Sequence, residues 1–261
     1  MLERKGARSV KDVPSAVLDA LHKGDIPTVN LVECLAMDQR ILLQNTLPKK
    51  YHKPLLEALD KLKATTYMNC IRGIGQTLFD LSQANGDAEI YPYLLQHPSD
   101  TVRCWATIFV GAQELNLADR LEAIKPLAAD SHFGVREISW IAIRDLLMEN
   151  PEEAIKLLTP WTLSEDENIR RFASESIRPK GVWCKQFKWI QAHPEAALPI
   201  LDALKGDKAR YVQDSVANWL NDLSKNNPSW VKDICHTWLL ENPTSKETAY
   251  ICKRALRSIE D

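Results

Sequence analysis

A chain of 261 residues with 45% hydrophobic content can bury a sizeable core, and its 33 Lys and Arg against 35 Asp and Glu leave a formal net charge of −2. That balance excludes a uniformly basic nucleic-acid protein, so any phosphate-binding surface must be local. No apolar run reaches membrane-spanning length and MLERKGARSV lacks the apolar core of a secretory signal, which predicts a cytoplasmic protein with no membrane partner.

Residues 1–13 are polar and basic and are expected to fray, with the first helix starting near Pro14, a residue tolerated in a first turn. Thr28 to Leu47 supports one or two helices through Val29, Leu31, Val32, Leu35, Ile41 and Leu42, and Tyr51 to Leu62 and Thr66 to Ser82 supply two more. Within the last of these, RGIGQ offers Gly73 and Gly75 without a third glycine or a preceding strand. Close helix packing explains them better than a phosphate loop. Nine glycines in all, and few alternating apolar and polar runs, argue for helices throughout. The six cysteines form no CxxC pair and read as reduced, mostly buried thiols. The six histidines show no ligand spacing, so no metal or cofactor is expected.

From about Asp87 the chain repeats itself. DTVR (100–103), HFGVR (132–136), ENIRR (167–171) and ARYVQ (209–213) open alternate helices, their β-branched residues Val102, Val135, Ile169 and Val212 standing 33, 34 and 43 residues apart. The partner helices carry Pro92, Pro126, Pro160 and Pro199, at intervals of 34, 34 and 39. One proline per repeat implies one bend or helix start per repeat. The fold class that follows is all-α: a HEAT-like α-solenoid of stacked antiparallel helix pairs, a single domain over 1–261. Residues 1–86 give its N-terminal helices and 87–261 the regular repeats, whose second helices line a concave groove. Pro228 to Glu241 and Ser245 to Ile259 form the closing pair.

The chemistry-bearing stretch is IRRFASESIRPKGVW (169–183). Ile169, Phe172, Ala173 and Ile177 make a buried stripe, Arg171, Glu175 and Arg178 an exposed line at i, i+4 and i+7, and Pro179 stops the helix. From Arg170 to Lys188 six basic residues meet one acid, with Trp183, Phe187 and Trp189 interleaved, a composition suited either to a polyanion carrying flat bases or to an ordinary solvated face. In the helix from His132, the stripe Val135, Ile138, Ala142 and Leu146 leaves Arg136, Glu137, Trp140 and Arg144 outside it. In the helix from Ala209, Val212, Val216, Trp219, Leu220 and Leu223 leave Ser215, Asn218, Asp222 and Lys225 facing out. Glu137, Glu175 and Asp222 are thus expected in one cleft among Arg136, Arg171 and Arg178. Acids on a phosphate track either do chemistry or simply pair with the neighbouring arginines.

GVREISW (134–140), RRFASESIRPKGVW (170–183), YVQDSVANWLNDLSKNNP (211–228) and YICKRALRSI (250–259), with GARSVKDVP and TVNLVECLAMD near the start, resemble the DNA alkylation repair glycosylases built from HEAT-like repeats, and within them the AlkC branch. The resemblance implies a monofunctional DNA N-glycosylase that acts on double-stranded DNA as a monomer at the nucleoid. It would release cationic alkylated bases such as N3-methyladenine and, in the AlkC branch, N3-methylcytosine, without the base-flipping pocket most glycosylases need. Carried over by position, Glu137 and Asp222 match acids set against the lesion deoxyribose and Glu175 a third acid. Arg171 and Arg178 match backbone-holding arginines and Trp183 an aromatic beside the lesion, with Arg136, Trp140, Lys185 and Asn218 completing the expected DNA-binding set. Phe133 and Asn218 stand where the AlkD branch has tryptophans, which favours AlkC. The immunoglobulin-like domain of some AlkC proteins is not expected here, so DNA grip should be weaker or come from the basic N-terminus. Either tryptophan would stabilise a developing cation through its π face or simply pack between helices. Two rival readings stand: a HEAT-like protein that binds unusually shaped DNA without cutting a bond, and a protein-binding scaffold.

Overall fold

The structure, a computed structural model, describes residues 4–181 and 183–259. Sixteen α-helices and no strand lie among them. In chain order they are α1 (Ser15–Lys23), α2 (Leu31–Ala36), α3 (Gln39–Thr46), α4 (Lys49–Asp60), α5 (Tyr67–Asn85), α6 (Ile90–Leu95), α7 (Asp100–Ala112) and α8 (Leu117–Ala128). There follow α9 (Phe133–Glu149), α10 (Pro151–Leu158), α11 (Glu167–Glu175), α12 (Lys188–Ala192), α13 (Leu198–Leu204), α14 (Arg210–Ser224), α15 (Pro228–Glu241) and α16 (Lys246–Ala255). Short polar residues start many of them: the side chains of Asn30, Asp38, Thr66, Asn116, Asp166 and Ser245 each accept from a main-chain N–H of the first turn. Pro151 and Pro228 occupy first helical positions, where the missing N–H costs nothing. The architecture is an all-α, HEAT-like helical repeat.

The chain divides into two compact units, Met1–Glu114 with Asp130–Ala142, and Leu115–Ala129 with Ile143–Asp261. In the first, α5 lies hard against α7: a Cβ built on Gly75 would stand 2.8 Å from the Trp105 carbonyl oxygen, so this glycine serves helix packing. The expected fraying does not hold for residues 4–13. Arg4 pairs with the buried carboxylate of Glu33 and donates to the Pro27 carbonyl at 2.8 Å, Asn30 donates to the Ala7 carbonyl, and Val10–Asp12 form a 3-10 turn. The expectation for residues 1–3 lies outside the described residues.

The repeat signature has a physical cause. The residue after each β-branched position reaches back to the carbonyls that end the preceding loop. Arg103 Nη1 donates to the carbonyls of His97 and Pro98, Arg136 Nη1 to those of Asp130 and Ser131, and Arg170 Nη1 to those of Ser164 and Glu165. Gln213 does the same to Asp207. In the first unit Arg103 also grips Asp130 through Nε at 2.7 Å and Nη2 at 3.1 Å. In the second, Arg170 grips Asp207 at 2.6 and 3.0 Å. Each acid in turn accepts a main-chain N–H of its own loop, from His132 and Ala209 respectively. Every clasp therefore ties the loop carbonyls just ahead of a helix to that helix's first turn.

The expected solvent faces need correcting. Trp140 and Arg144 on α9 are 2% and 1% exposed, and Ser215 on α14 is buried. On α9 the single stripe overlooked Ile141, Ile143 and Leu147, which are buried as well; a helix apolar on several sides is enclosed on several sides. Within the second unit α11 packs against Thr159–Leu163 and α13 as well as against α14, which closes over Arg171 and Glu175.

Removing one partner of a clasp strands a mostly buried charge, so Asp207→Ala is expected to destabilise the fold by about 3 kcal/mol. Asp145→Ala, which breaks the exposed pair with Lys185, should cost about 0.5 kcal/mol or less. Urea denaturation of the two variants checks the difference.

Candidate active site

The polar centre of the second unit is built around Arg178. α11 ends at Glu175, and Ser176 and Ile177 turn the chain before Pro179, whose ring disfavours helix in the residue ahead of it. That turn swings Arg178 between α11 and α14. Its Nη1 donates to Glu175 Oε1 at 2.6 Å, while Nε and Nη2 donate to Asp222 Oδ2 at 3.0 and 2.7 Å. One guanidinium thus joins acids from two successive repeats. Glu175, 2% exposed, also accepts from the Ser215 hydroxyl at 2.7 Å and lies 3.5 Å from Arg171 Nη2; Ser215 shares a 2.8 Å bond with Ser174. Arg171 lays its guanidinium over the Tyr211 ring, 4.2 Å from the centroid. The Trp219 indole N–H donates to the Ile177 carbonyl and fixes the turn from α14.

The two acids differ electrostatically. Burial opposes ionisation of Glu175, but Arg171, Arg178 and the Ser215 hydroxyl outweigh it and hold the carboxyl below its ordinary range. For Asp222, burial prevails over Arg178, and its carboxyl lies above the ordinary range. Burial also works against the charge of Arg178, yet the two carboxylates keep it firmly protonated. A structural carboxylate and a more easily protonated one therefore share a single cation.

Beyond Pro179 the chain forms an irregular loop to α12. Phe187 is buried, the Phe187 N–H and the Gln191 amide both donate to the Pro179 carbonyl, and Trp189 lies against His193. Trp183 stands out of this loop, 47% exposed, and among the described residues it alone of the non-glycines has a left-handed backbone, with φ 59°. For a bulky side chain that conformation costs about 1–2 kcal/mol, and such strain persists only where the surroundings impose it. Lys185 is exposed and 3.3 Å from Asp145.

The remaining expected residues are placed as follows. Glu137, on the part of α9 that belongs to the first unit, is half-buried and accepts the Trp140 indole N–H at 3.0 Å. Trp140 is thereby a buried hydrogen-bond partner of an acid rather than an open aromatic face. Arg136 takes the repeat clasp described above. Asn218 is half-buried and accepts from Arg257 Nη2 at 3.0 Å, so the RALRS segment of the closing helix reaches α14. Neither Arg144 nor Ser215 was expected in the network. Ser215 had a signal in the sequence, since it stands seven residues, two helical turns, before Asp222 and so on the same face of α14.

Residues 135–249, which hold Glu137, Glu175, Arg178, Trp183 and Asp222, match the sequence model of the family described as DNA alkylation repair enzyme. That match spans 115 of the 261 residues. It is 30% identical over 242 residues to the uncharacterized protein YhaZ of Bacillus subtilis, covering 93% of this chain and 56% of YhaZ. It is also similar, with a TM-score of 0.65 and 29% identity, to Pseudomonas fluorescens alkylpurine DNA glycosylase AlkC, in a structure bound to DNA containing an abasic site analog. That likeness covers 81% of this chain and 56% of AlkC. The chain spans little more than half the length of both relatives. AlkD2 from Streptococcus mutans, at 23% identity and a TM-score of 0.60 over 82% of this chain and 99% of its own, shares the fold.

Removing the Glu175 carboxyl leaves two guanidiniums facing an emptied, dry site. Glu175→Ala is expected to destabilise the protein by about 3–5 kcal/mol. Because the folded carboxyl lies below its ordinary 4.5, the stability it contributes is present above that pH and is lost as pH falls through the folded value. Thermal melts between neutral and acid pH should show a shallower acid decline for Glu175→Gln than for the unaltered chain.

Proposed function

We propose that this protein belongs to the DNA alkylation repair family and is a monofunctional DNA N-glycosylase. It would hydrolyse the N-glycosidic bond of cationic alkylated bases, N3-methyladenine and N3-methylcytosine, in double-stranded DNA, acting as a monomer in base excision repair. The observation that carries this reading is the pair of acids, Glu175 and Asp222, joined through Arg178 inside the family-matched segment. The similarity to AlkC supports the same chemistry.

A base alkylated at N3 already bears positive charge, so its departure needs no protonation. The C1′–N bond breaks, its electron pair neutralises the base, and the sugar becomes oxocarbenium-like. A water then adds to C1′ and gives its proton to a carboxylate, leaving an abasic sugar. Ionised carboxylates serve both steps by opposing the developing charge and by aiming the water. These roles go to Glu137 and Asp222. Glu175, buried among two arginines and a serine, holds the geometry. The Trp140 indole orients Glu137, and the exposed Trp183 lies against the deoxyribose, where its π face favours a cation. Arg178 and Lys185 attract the phosphates beside the lesion, with Asn218 and Arg257 alongside.

Incubation with methylated duplex DNA, followed by chromatography of the released bases, is expected to yield N3-methyladenine and N3-methylcytosine. Salt-sensitive DNA binding without release would favour a non-catalytic reader of DNA shape. Glu137→Gln and Asp222→Asn are each expected to abolish release with duplex affinity retained; equal loss of binding and release in both would make the acids structural. Since Asp222 must be ionised and burial raises its carboxyl above 3.8, kcat/KM should fall on the acid side as pH drops through that raised range.

A further inference from the structure

Arg144, on the part of α9 that belongs to the second unit, has a use that its sequence position does not suggest. It is 1% exposed, and all three of its nitrogens donate to carbonyls of a single segment: Nη1 to Ser176 at 2.9 Å, Nη2 to Arg178 at 2.6 Å and Nε to Lys185 at 3.2 Å. Its guanidinium carbon lies 5.5 Å from the centroid of the buried Phe187 ring. Burying a guanidinium against neutral carbonyls is a poor way to fill space, because an apolar side chain of the same size would avoid the desolvation. The three carbonyls, however, mark out one loop. The first two bracket the turn that aims Arg178 at Glu175 and Asp222. The third closes the far side of the loop, two residues beyond Trp183. Trp183 is also where the backbone is left-handed, with the residue about half exposed.

We infer that Arg144 is a positioning residue. By clamping both limbs of the 176–185 loop it sets the Arg178-linked acids and the Trp183 indole in one fixed relation, so that the aromatic face and the carboxylates act on the same sugar. The functional half of this inference rests on the glycosylase reading; the clamp itself does not. Lysine at 144 keeps the charge but has no planar fork to serve three acceptors.

The test labels the protein with 5-fluorotryptophan, assigns the Trp183 resonance by Trp183→Phe, and compares the unaltered chain with Arg144→Lys and Arg144→Gln. With helix content retained, the Trp183 signal is expected to shift or split in both variants, and tryptic cleavage after Lys180 and Lys185 to quicken by about tenfold. On methylated duplex DNA, kcat should fall by about tenfold or more, while affinity for a duplex with an abasic-site analogue changes by less than about threefold. An unmoved Trp183 signal with unchanged cleavage in a folded variant overturns the clamp, and a normal kcat with a loosened loop overturns its role in the reaction. Should neither variant fold, the guanidinium protons of Arg144 in the unaltered, 15N-arginine-labelled protein decide: slow exchange is expected, and rapid exchange overturns the clamp. If the unaltered protein releases no base, the enzymatic reading fails alone and the resonance and cleavage still judge the clamp.

Discussion

Loop carbonyls stand just ahead of the repeat helices, and in this protein guanidinium groups answer them. Arg103, Arg136 and Arg170 do so at the start of successive repeat helices, and Arg144 does so in the loop that follows α11. A guanidinium suits the task because its donors lie in one plane and point several ways, so one side chain can tie two or three main-chain oxygens at once. The acids Asp130 and Asp207 then neutralise the clasp while capping the next loop. Each repeat guanidinium thereby fixes the loop between two helices to the helix that follows it.

The Arg178 centre extends that logic from main chain to side chain. In the clasps of Arg103 and Arg170 the arginine meets one acid; Arg178 meets two, from α11 and α14, with a serine hydroxyl completing Glu175. Glu175 has Arg171 and the Ser215 hydroxyl besides the shared cation, whereas at Asp222 burial outweighs Arg178. Asp222 is consequently the acid whose charge remains responsive to its surroundings. A fold-supporting interaction and a chemically available group are two ends of one side-chain contact.

The repeat period was legible because its markers answer to backbone needs: a β-branched residue at each helix start and a proline in each partner helix recur wherever the same turn recurs. Pro14 and Pro228 marked helix starts to within a residue, and the spacing of Arg171, Glu175 and Arg178 marked the ion-pair line. Its burial was not legible. A helix covered on both sides keeps an amphipathic sequence when the polar side meets polar partners from a later helix, and here those partners lie 40 and 44 residues away at Ser215 and Asp222. Arg144 was misplaced for a related reason: its acceptors are main-chain carbonyls, which every sequence has and none advertises. The left-handed Trp183 likewise carries none of the glycine or asparagine cues that usually announce a positive φ.

In the first unit, the Thr28 N–H and hydroxyl both donate to the fully buried carboxylate of Asp100, and His132 sits 2.7 Å from the Thr28 carbonyl and 3.4 Å from Asp100. These three residues come from the chain's beginning, the start of α7 and the residue before α9. The first unit is therefore incomplete without Asp130–Ala142, a segment that the chain reaches only after Leu115–Ala129 of the second unit. The polar centre at Asp100 thus ties the amino-terminal helices to the element that carries Glu137.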